Sequence, residues 1–348
     1  VENVDGVVSA AQKNIGVASI RLWSRQFRLF PELIRNILVV LEITAKMFWR
    51  STRLKPNIIH CHDTPVLPLG VILKWITGAK IIYDAHELES ERNGLSRIAG
   101  KITLFVEKRS WRFIDRLIVV SPSILSWYNS NIGFKKSAVV LNSPLISHWE
   151  NSREKNVYLR EKFSIPEGAL IFIYNGIFTS GRGIDLITNV FRCKDIQSHV
   201  VFLGYGDMKE DLLRLSKKHS KVHVHDAVAH QDVVQINQSA DVGLALIEHV
   251  SLSDYFCLPN KLFEYAFAGI PVLTSKFPDM AEIVREHNLG ECSDVNYESI
   301  YQCIKKIETE KSTRKADFKD LYALSWQAQA GKLNSLYSEL TDEIGEIA

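Results

Sequence analysis

Short apolar runs alternate with segments whose apolar residues recur every three or four positions, and this alternation persists through most of the chain. Runs at Asn57–Cys61, Lys80–Tyr83, Arg116–Val120 and Ala138–Leu141 read as strands, each followed by turn residues and a helix-like stretch. The pattern lapses between Ser143 and Arg160, a polar passage that reads as an interdomain connection. It restarts with strands at Ala169–Tyr174, His199–Leu203, Val222–His225, Val242–Leu246 and Pro271–Thr274. Beyond residue 316, Leu321, Leu324, Trp326, Leu333, Leu336 and Leu340 predict a helical tail. Such alternation predicts an α/β protein of two doubly wound Rossmann-like domains, residues 1–145 and 156–315, facing a cleft, with the tail at 316–348. Ligands in such domains bind outside the carboxyl ends of parallel strands, so the residues that follow each strand are the first candidates for chemistry.

Composition narrows the classes. A length of 348 residues suits two domains, and 46% hydrophobic with 24% charged residues is ordinary for a globular protein. A net charge of +2 gives no general ground for nucleic-acid binding. Five scattered cysteines without a C-x-x-C pair argue against a disulfide framework and a structural zinc site, and favour a reducing compartment. No apolar run of about 18 residues predicts a membrane span. There is no signal-peptide pattern, and the chain opens on Val1, so an upstream start is expected. Between Ile20 and Lys55 eight basic residues stand against two acidic ones, a local charge of +6. On a helical wheel Arg21, Arg25 and Arg28 lie opposite Trp23, Phe27 and Phe30, a pattern suited to an anionic membrane surface. Leu33–Trp49 reads instead as a core-packing helix with solvated basic residues.

The most informative stretch is Leu258–Ser275. Pro259 suits the first helical position, Leu262, Tyr265 and Ala266 share one face, and Gly269 ends the helix before a short strand. The free N–H groups at Asn260 and Lys261, beside an ammonium group, suit a phosphate. Glu264, one turn on, can accept two ribose hydroxyls. In Tyr174–Asp185, Gly176, Gly181 and Gly183 surround Arg182, which sits where a diphosphate needs a cation. Gly204-Tyr-Gly-Asp207 follows a strand but lacks the third glycine of a dinucleotide fingerprint. Tyr83-Asp-Ala-His-Glu-Leu88 leaves a strand end, where His86 can hydrogen-bond a sugar or a leaving phosphate. His60 and His62 share a strand face, with no third metal ligand evident near them in sequence.

The Pro-Asn-Lys-x-Phe-Glu-Tyr signature at 259–265 resembles the donor-binding helix of retaining glycosyltransferases of family 4, which have the GT-B fold, in the bacterial polysaccharide branch. The resemblance covers roughly residues 55–340. It implies that Asn260, Lys261, Leu262, Glu264, Gly176, Gly181, Gly183 and Gly204 bind the donor. His86, Arg182 and Lys261 are implied to carry catalysis, and the His60–His62 segment to be a structural strand end. Two departures stand out: Ile177 replaces a second arginine, and Phe256 stands where many relatives carry the first of two glutamates. Asp254 or Glu248 is the candidate substitute. The implied activity is transfer of a sugar from a nucleotide-diphosphate donor to a lipid-linked glycan acceptor at the inner face of the cytoplasmic membrane, in capsule or lipopolysaccharide assembly. No cofactor or metal is expected, since the chain has no Asp-x-Asp motif. A GT-B nucleotide-sugar epimerase, or a catalytically silent or truncated subunit, are the alternatives; the last is motivated by the missing first strand.

Overall fold

The computed structural model describes residues 20–26, 30–145, 156–310 and 320–345. Its first half runs α1 (Glu32–Leu54), β1 (Ile58–His62), α2 (Leu67–Thr77), β2 (Lys80–Ala85), α3 (Arg97–Ser110), β3 (Arg116–Val119), α4 (Pro122–Asn131) and β4 (Ser137–Val139). These four strands form one parallel sheet in the order β1-β2-β3-β4.

After α5 (Tyr158–Lys162), the second half runs β5 (Ile171–Ile177), α6 (Ile184–Phe191), β6 (His199–Tyr205), α7 (Lys209–Ser216), β7 (Val222–Asp226) and α8 (His230–Asn237). It continues with β8 (Val242–Ala245), α9 (Leu252–Tyr255), α10 (Asn260–Phe267), β9 (Val272–Ser275), α11 (Pro278–Glu286), β10 (Gly290–Ser293) and α12 (Tyr297–Glu310). The six strands pair in parallel as β10-β9-β8-β5-β6-β7. That order reverses direction between β5 and β8, the switch point at which doubly wound sheets open a crevice.

Strands buried on both faces are the reason the sequence shows apolar runs rather than strict alternation. On the second sheet, Phe172, Tyr174 and Phe202 pack with Phe178 and Phe191 on one face. Ile173, Val201 and Leu203 pack with Phe263, Tyr265 and Phe267 on the other. On the first sheet Tyr83, Leu117 and Val119 meet Trp111 and Tyr128. Its other face is covered from far along the chain: Ile82, Ile118 and Val140 lie against Leu336 and Leu340 of α13 (Trp326–Gly345). Helix α13 therefore crosses back onto the first half. Arg116 anchors it there through Glu343, at 2.7 Å.

Three sequence readings are corrected. The edge strand β10, Gly-Glu-Cys-Ser, has no apolar run and was not predicted. Strands β5 and β6 run on past Tyr174 and Leu203, because Gly176 and Gly204 remain paired across the ladder. The core-packing reading of Leu33–Trp49 fails: α1 has no buried residue, and Leu33, Ile37, Val40, Leu41 and Trp49 are all exposed. The Arg21–Phe30 segment is described only in part, with Phe27 and Arg28 outside the described residues. Its Ser24–Gln26 turn folds onto α1, where Glu42 accepts from the backbone of Trp23 and Ser24. Among the described residues no helix is long and apolar enough to cross a membrane.

Candidate active site

A cleft of about 610 Å³ lies between the two halves. His86, Glu87, Val120, Ile124 and Asn142 line it from the first half, and the carboxyl ends of β5, β6 and β8 with the start of α10 line it from the second. The halves meet around it through hydrogen bonds from Ser121 Oγ to the Phe256 carbonyl and from the Leu88 N–H to Ser253 Oγ.

The cleft opens where β5 and β8 part. They pair only at Phe172–Val242 and Ile173–Gly243. Beyond that point Tyr265 of α10 replaces the ladder: its hydroxyl accepts from the Asn175 N–H at 3.0 Å and lies 3.1 and 3.2 Å from the carbonyls of Ile173 and Leu244. Gly243 gives the ring its room, since a Cβ there would lie 2.2 Å from it.

Helix α10 starts one residue later than its sequence suggested. Pro259 is extended, at φ −74° and ψ 141°, and caps the helix instead of opening it. Among the described residues, the N–H groups of Asn260 and Lys261 have no hydrogen-bond partner, and both residues line the cleft. A helix start of this kind attracts an anion. The Leu262 N–H is bonded to the Pro259 carbonyl and its side chain is buried in the core, so the expected donor contact at Leu262 is not available. That residue is structural.

Lys261 Nζ sits 3.6 Å from the centre of the Tyr174 ring. Desolvation there, with Arg182 nearby, brings its pKa down to about 7. The cation–π contact and Glu264 oppose that fall without reversing it. Glu264 is buried, and its Oε2 accepts from Asn175 Nδ2 at 2.9 Å. Arg182 faces the cleft, with Nη1 3.6 Å from Asp254 Oδ1.

The glycines divide by task. Gly204 holds φ 154°, and a Cβ there would strike the Gly176 carbonyl at 1.9 Å, so close strand approach requires it. Gly176 and Gly204 border the cleft. Gly183 is the left-handed N-cap of α6, and its N–H is bonded to Glu248 Oε1 at 3.2 Å. The Glu248 N–H in turn donates to the Gly181 carbonyl. Gly181, Gly183 and Glu248 thus latch two loops together behind Arg182 and do not line the cleft. Glu248 is spent on that latch, which leaves Asp254 as the carboxylate near the Phe256 position. Phe256 itself packs on the first half's core.

On the facing wall, His86 is not alone. Parallel pairing of β1 and β2 sets His62 opposite Asp84. Asp84 Oδ2 lies 3.1 Å from His60 Nε2, 3.2 Å from His62 Nδ1 and 3.3 Å from His86 Nε2. The expectation that His60 and His62 lack a third potential ligand is therefore overturned: Asp84 comes from the neighbouring strand, a relation that only the register makes. Burial and His60 lower the pKa of His62.

Sequence reasoning also missed Asn175, Tyr174 and the apolar end of the cleft, where Leu203, Ala227, Val228 and Val233 gather near Tyr205. Asn175 had one usable signal, its place directly before Gly176. The apolar wall had none, because its members come from the ends of β6 and β7 and from α8.

Comparison with known proteins bears on the fold and the family. Residues 158–319 match the group 1 glycosyl transferases, and residues 7–144 match the glycosyl transferase 4-like domain. The chain is 23% identical over 258 residues to the chitobiosyldiphosphodolichol beta-mannosyltransferase of Candida glabrata, covering 65% of this chain and 56% of that protein. It is 27% identical over 250 residues to an uncharacterized glycosyltransferase of Methanocaldococcus jannaschii, covering 68% and 62%. It thus spans less than two thirds of the length of these curated relatives. Among solved structures, sucrose-phosphate synthase from Thermosynechococcus elongatus superposes with a TM-score of 0.75 at 16% identity, covering 93% of this chain and 83% of that one. An Anabaena protein in complex with UDP-glucose superposes at 0.66 with 13% identity, covering 88% and 82%. With one matched domain on each side of the cleft and the GT-B architecture throughout, the chain belongs to the GT-B glycosyltransferases of the family 4 type.

Proposed function

We propose that this protein moves a sugar from a nucleotide-diphosphate donor to a lipid-linked glycan acceptor, with retention of configuration, in assembly of a bacterial surface polysaccharide such as capsule or lipopolysaccharide. The observation that carries the donor half is the convergence of Lys261, Arg182 and the open start of α10 at the β5–β8 switch point, beside the Asn175–Glu264 pair. Two cations and a helix start offset the charge of a departing diphosphate, Glu264 receives the ribose hydroxyls, and the apolar end receives the base. His86 orients the sugar or acceptor from the facing wall. This cationic seat is the reason no divalent metal or other cofactor is invoked for the transfer step: EDTA should leave turnover unchanged, and loss of turnover restored by magnesium or manganese would refute that. Isothermal titration with nucleoside diphosphates of different bases tests the donor assignment, with absence of binding by all of them as the contrary result.

One observation favours a second stereochemical reading. His86 lines the cleft, and a carboxylate stands against each ring nitrogen, Asp84 Oδ2 3.3 Å from Nε2 and Asp63 Oδ1 3.6 Å from Nδ1, so a general-base role requires the ring to turn one nitrogen toward the acceptor. The beta-mannosyltransferase relatives also carry a β-product in their name. The anomeric configuration of the product, read by NMR, separates retention from a His86-assisted inversion.

The acceptor and the membrane are proposed from the helices of the first domain. Helices α1, α2 and α3 lie side by side and expose Leu33, Val40, Trp49, Trp75, Ile98 and Phe105. Arg35, Arg50, Arg53, Arg97 and Lys101 share these helices. Exposed apolar residues on helices that also carry basic ones suit an anionic bilayer, which supports a peripheral position on the inner face of the cytoplasmic membrane. Each basic residue near such a surface contributes on the order of 1 kcal/mol. Arg50→Ser with Arg53→Ser should therefore release protein from phosphatidylglycerol vesicles at low salt, and unchanged vesicle binding would remove the membrane from the proposal.

A further inference from the structure

We propose that His60, His62 and Asp84 form a binding site for a divalent transition-metal ion of the zinc class, at the carboxyl ends of β1 and β2. None of its three residues lines the cleft, although His86 beside them does. One ligand atom from each residue lies within 4.8 Å of the other two. Tetrahedral zinc, bound to imidazole and carboxylate at about 2.0–2.2 Å, sets its ligand atoms about 3.3 Å apart. The separations from Asp84 Oδ2 to His60 Nε2 and His62 Nδ1, 3.1 and 3.2 Å, already approach that value. The residue types are those zinc takes, two imidazoles and a carboxylate, which leaves a fourth position for water or a further donor. The nearest such donor is His86, whose Nε2 is 3.1 Å from His62 Nδ1 and 3.3 Å from Asp84 Oδ2.

Hydrogen bonding alone accounts poorly for this cluster. A single carboxylate oxygen faces three imidazole nitrogens, and two ring nitrogens 3.1 Å apart can share only one proton between them. A cation uses the same lone pairs without that conflict. The outer support is also in place. The other nitrogen of His60, Nδ1, is 2.6 Å from the Tyr337 hydroxyl of α13, which can fix the ring with Nε2 turned inward. Metal-bound histidines are held by such a partner on their second nitrogen, and losing it weakens metal binding about 10- to 100-fold.

The test uses the full chain, stripped with EDTA and dialysed, titrated with cobalt(II) as a spectroscopic stand-in for zinc. The expected result is one cobalt per chain, with the visible bands of four- or five-coordination, abolished by one equivalent of zinc. Asp84→Asn and His62→Ala should each weaken binding at least about tenfold, and Tyr337→Phe about tenfold. His199→Ala with His223→Ala, which removes the stacked histidine pair on the second sheet, should change nothing. The proposal is overturned if the parent binds no cobalt, or shows only the weak bands of a six-coordinate ion. It is equally overturned if the His199/His223 variant is the one that loses binding, or if the site variants bind like the parent. Should His62→Ala fail to fold by circular dichroism, Tyr337→Phe decides, because it keeps the ring and every ligand.

Discussion

The two walls of the cleft are built in opposite ways. On the second-domain wall, Asn260, Lys261 and Glu264 stand close together at the start of α10, and Tyr174, Asn175, Gly176 and Arg182 at the end of β5 and in the loop after it. On the first-domain wall, His86 owes its surroundings to strand register: His62 is set against Asp84 by the pairing of β1 with β2, and Tyr337 arrives from the far end of the chain. A local wall carries its chemistry in short sequence segments, here the start of α10 and the end of β5 with its loop. An assembled wall carries it only after folding, and couples the site to whatever holds the sheet. Donor binding should therefore be a property of the second wall, and the first wall should act on what happens to the bound donor.

The strongest break of this comparison comes from Lys261→Ala and Glu264→Ala. A carboxylate that accepts hydrogen bonds from a ligand is worth roughly 1.5–3 kcal/mol, so Glu264→Ala should weaken nucleoside diphosphate binding about 10- to 100-fold. Lys261→Ala should cost affinity and also kcat, because its charge is needed most as the diphosphate leaves. Isothermal titration and initial rates measure both, with circular dichroism as the folding control. If both variants bind like the parent, α10 is only a structural helix.

His86→Ala sharpens the contrast from the other side. Its nucleoside diphosphate affinity should stay within about twofold of the parent while kcat falls, since the group lies across the cleft from the diphosphate seat. A fall beyond about 100-fold is the size expected of a general base and would favour inversion. A smaller one fits a residue that orients the sugar. An equal loss in affinity and rate would place the donor against both walls and dissolve the distinction.

This difference between walls also explains what was legible in the sequence. The α/β class and the parallel strands followed from apolar runs and the turns between them, because strands buried on both faces leave that trace. The proposed donor seat could be read from Pro259 to Glu264, because a helix start, a cation and a carboxylate lie close together in sequence there. The histidine cluster stayed hidden: His62 and Asp84 are 22 positions apart and become neighbours only through a register that no residue announces. Helix α1 misled for a related reason. Its 3.6-residue pattern is real, but a pattern says that an apolar face exists and not what covers it. Leu262 misled in reverse, since it lies between two cleft-lining residues, Lys261 and Glu264, while its own side chain is buried in the core.

Lys261 also makes donor binding depend on pH. In the free protein its pKa is about 7, lowered by desolvation and by Arg182. A bound diphosphate favours the ammonium form and must raise that pKa. The sign follows directly. Below about pH 7 the lysine is already charged and affinity is at its full value. As pH climbs past 7 the free protein must take up a proton to bind, so the dissociation constant rises, by at most about tenfold per pH unit. Titrations at pH 6, 7, 8 and 9 in buffers of different ionisation enthalpy would show this as proton uptake above pH 7. Lys261→Ala should flatten the profile, whereas His86→Ala should not.

The smallest expected effect concerns a residue that acts on the donor only through another. Asn175 Nδ2 donates to Glu264 Oε2 at 2.9 Å, and its own N–H is held by Tyr265. The amide thus fixes which way the Glu264 carboxylate presents its oxygens at the point where β5 and β8 part. Removing it in Asn175→Ala leaves Glu264 in place but unsteadied, a loss of roughly one net hydrogen bond, on the order of 1 kcal/mol or about fivefold in affinity. The loss should appear in nucleotide affinity and not in kcat, because the ribose is bound equally in the ground and transition states. Two controls keep this distinct from a general loosening of the sheet. Asn237→Ala removes the neighbouring amide, 3.4 Å from Asn175 Nδ2, and should leave affinity nearly unchanged. Asn175→Ala placed on Glu264→Ala should add little further loss, since the residue it orients is already gone. Full additivity of the two would mean that Asn175 meets the nucleotide by itself.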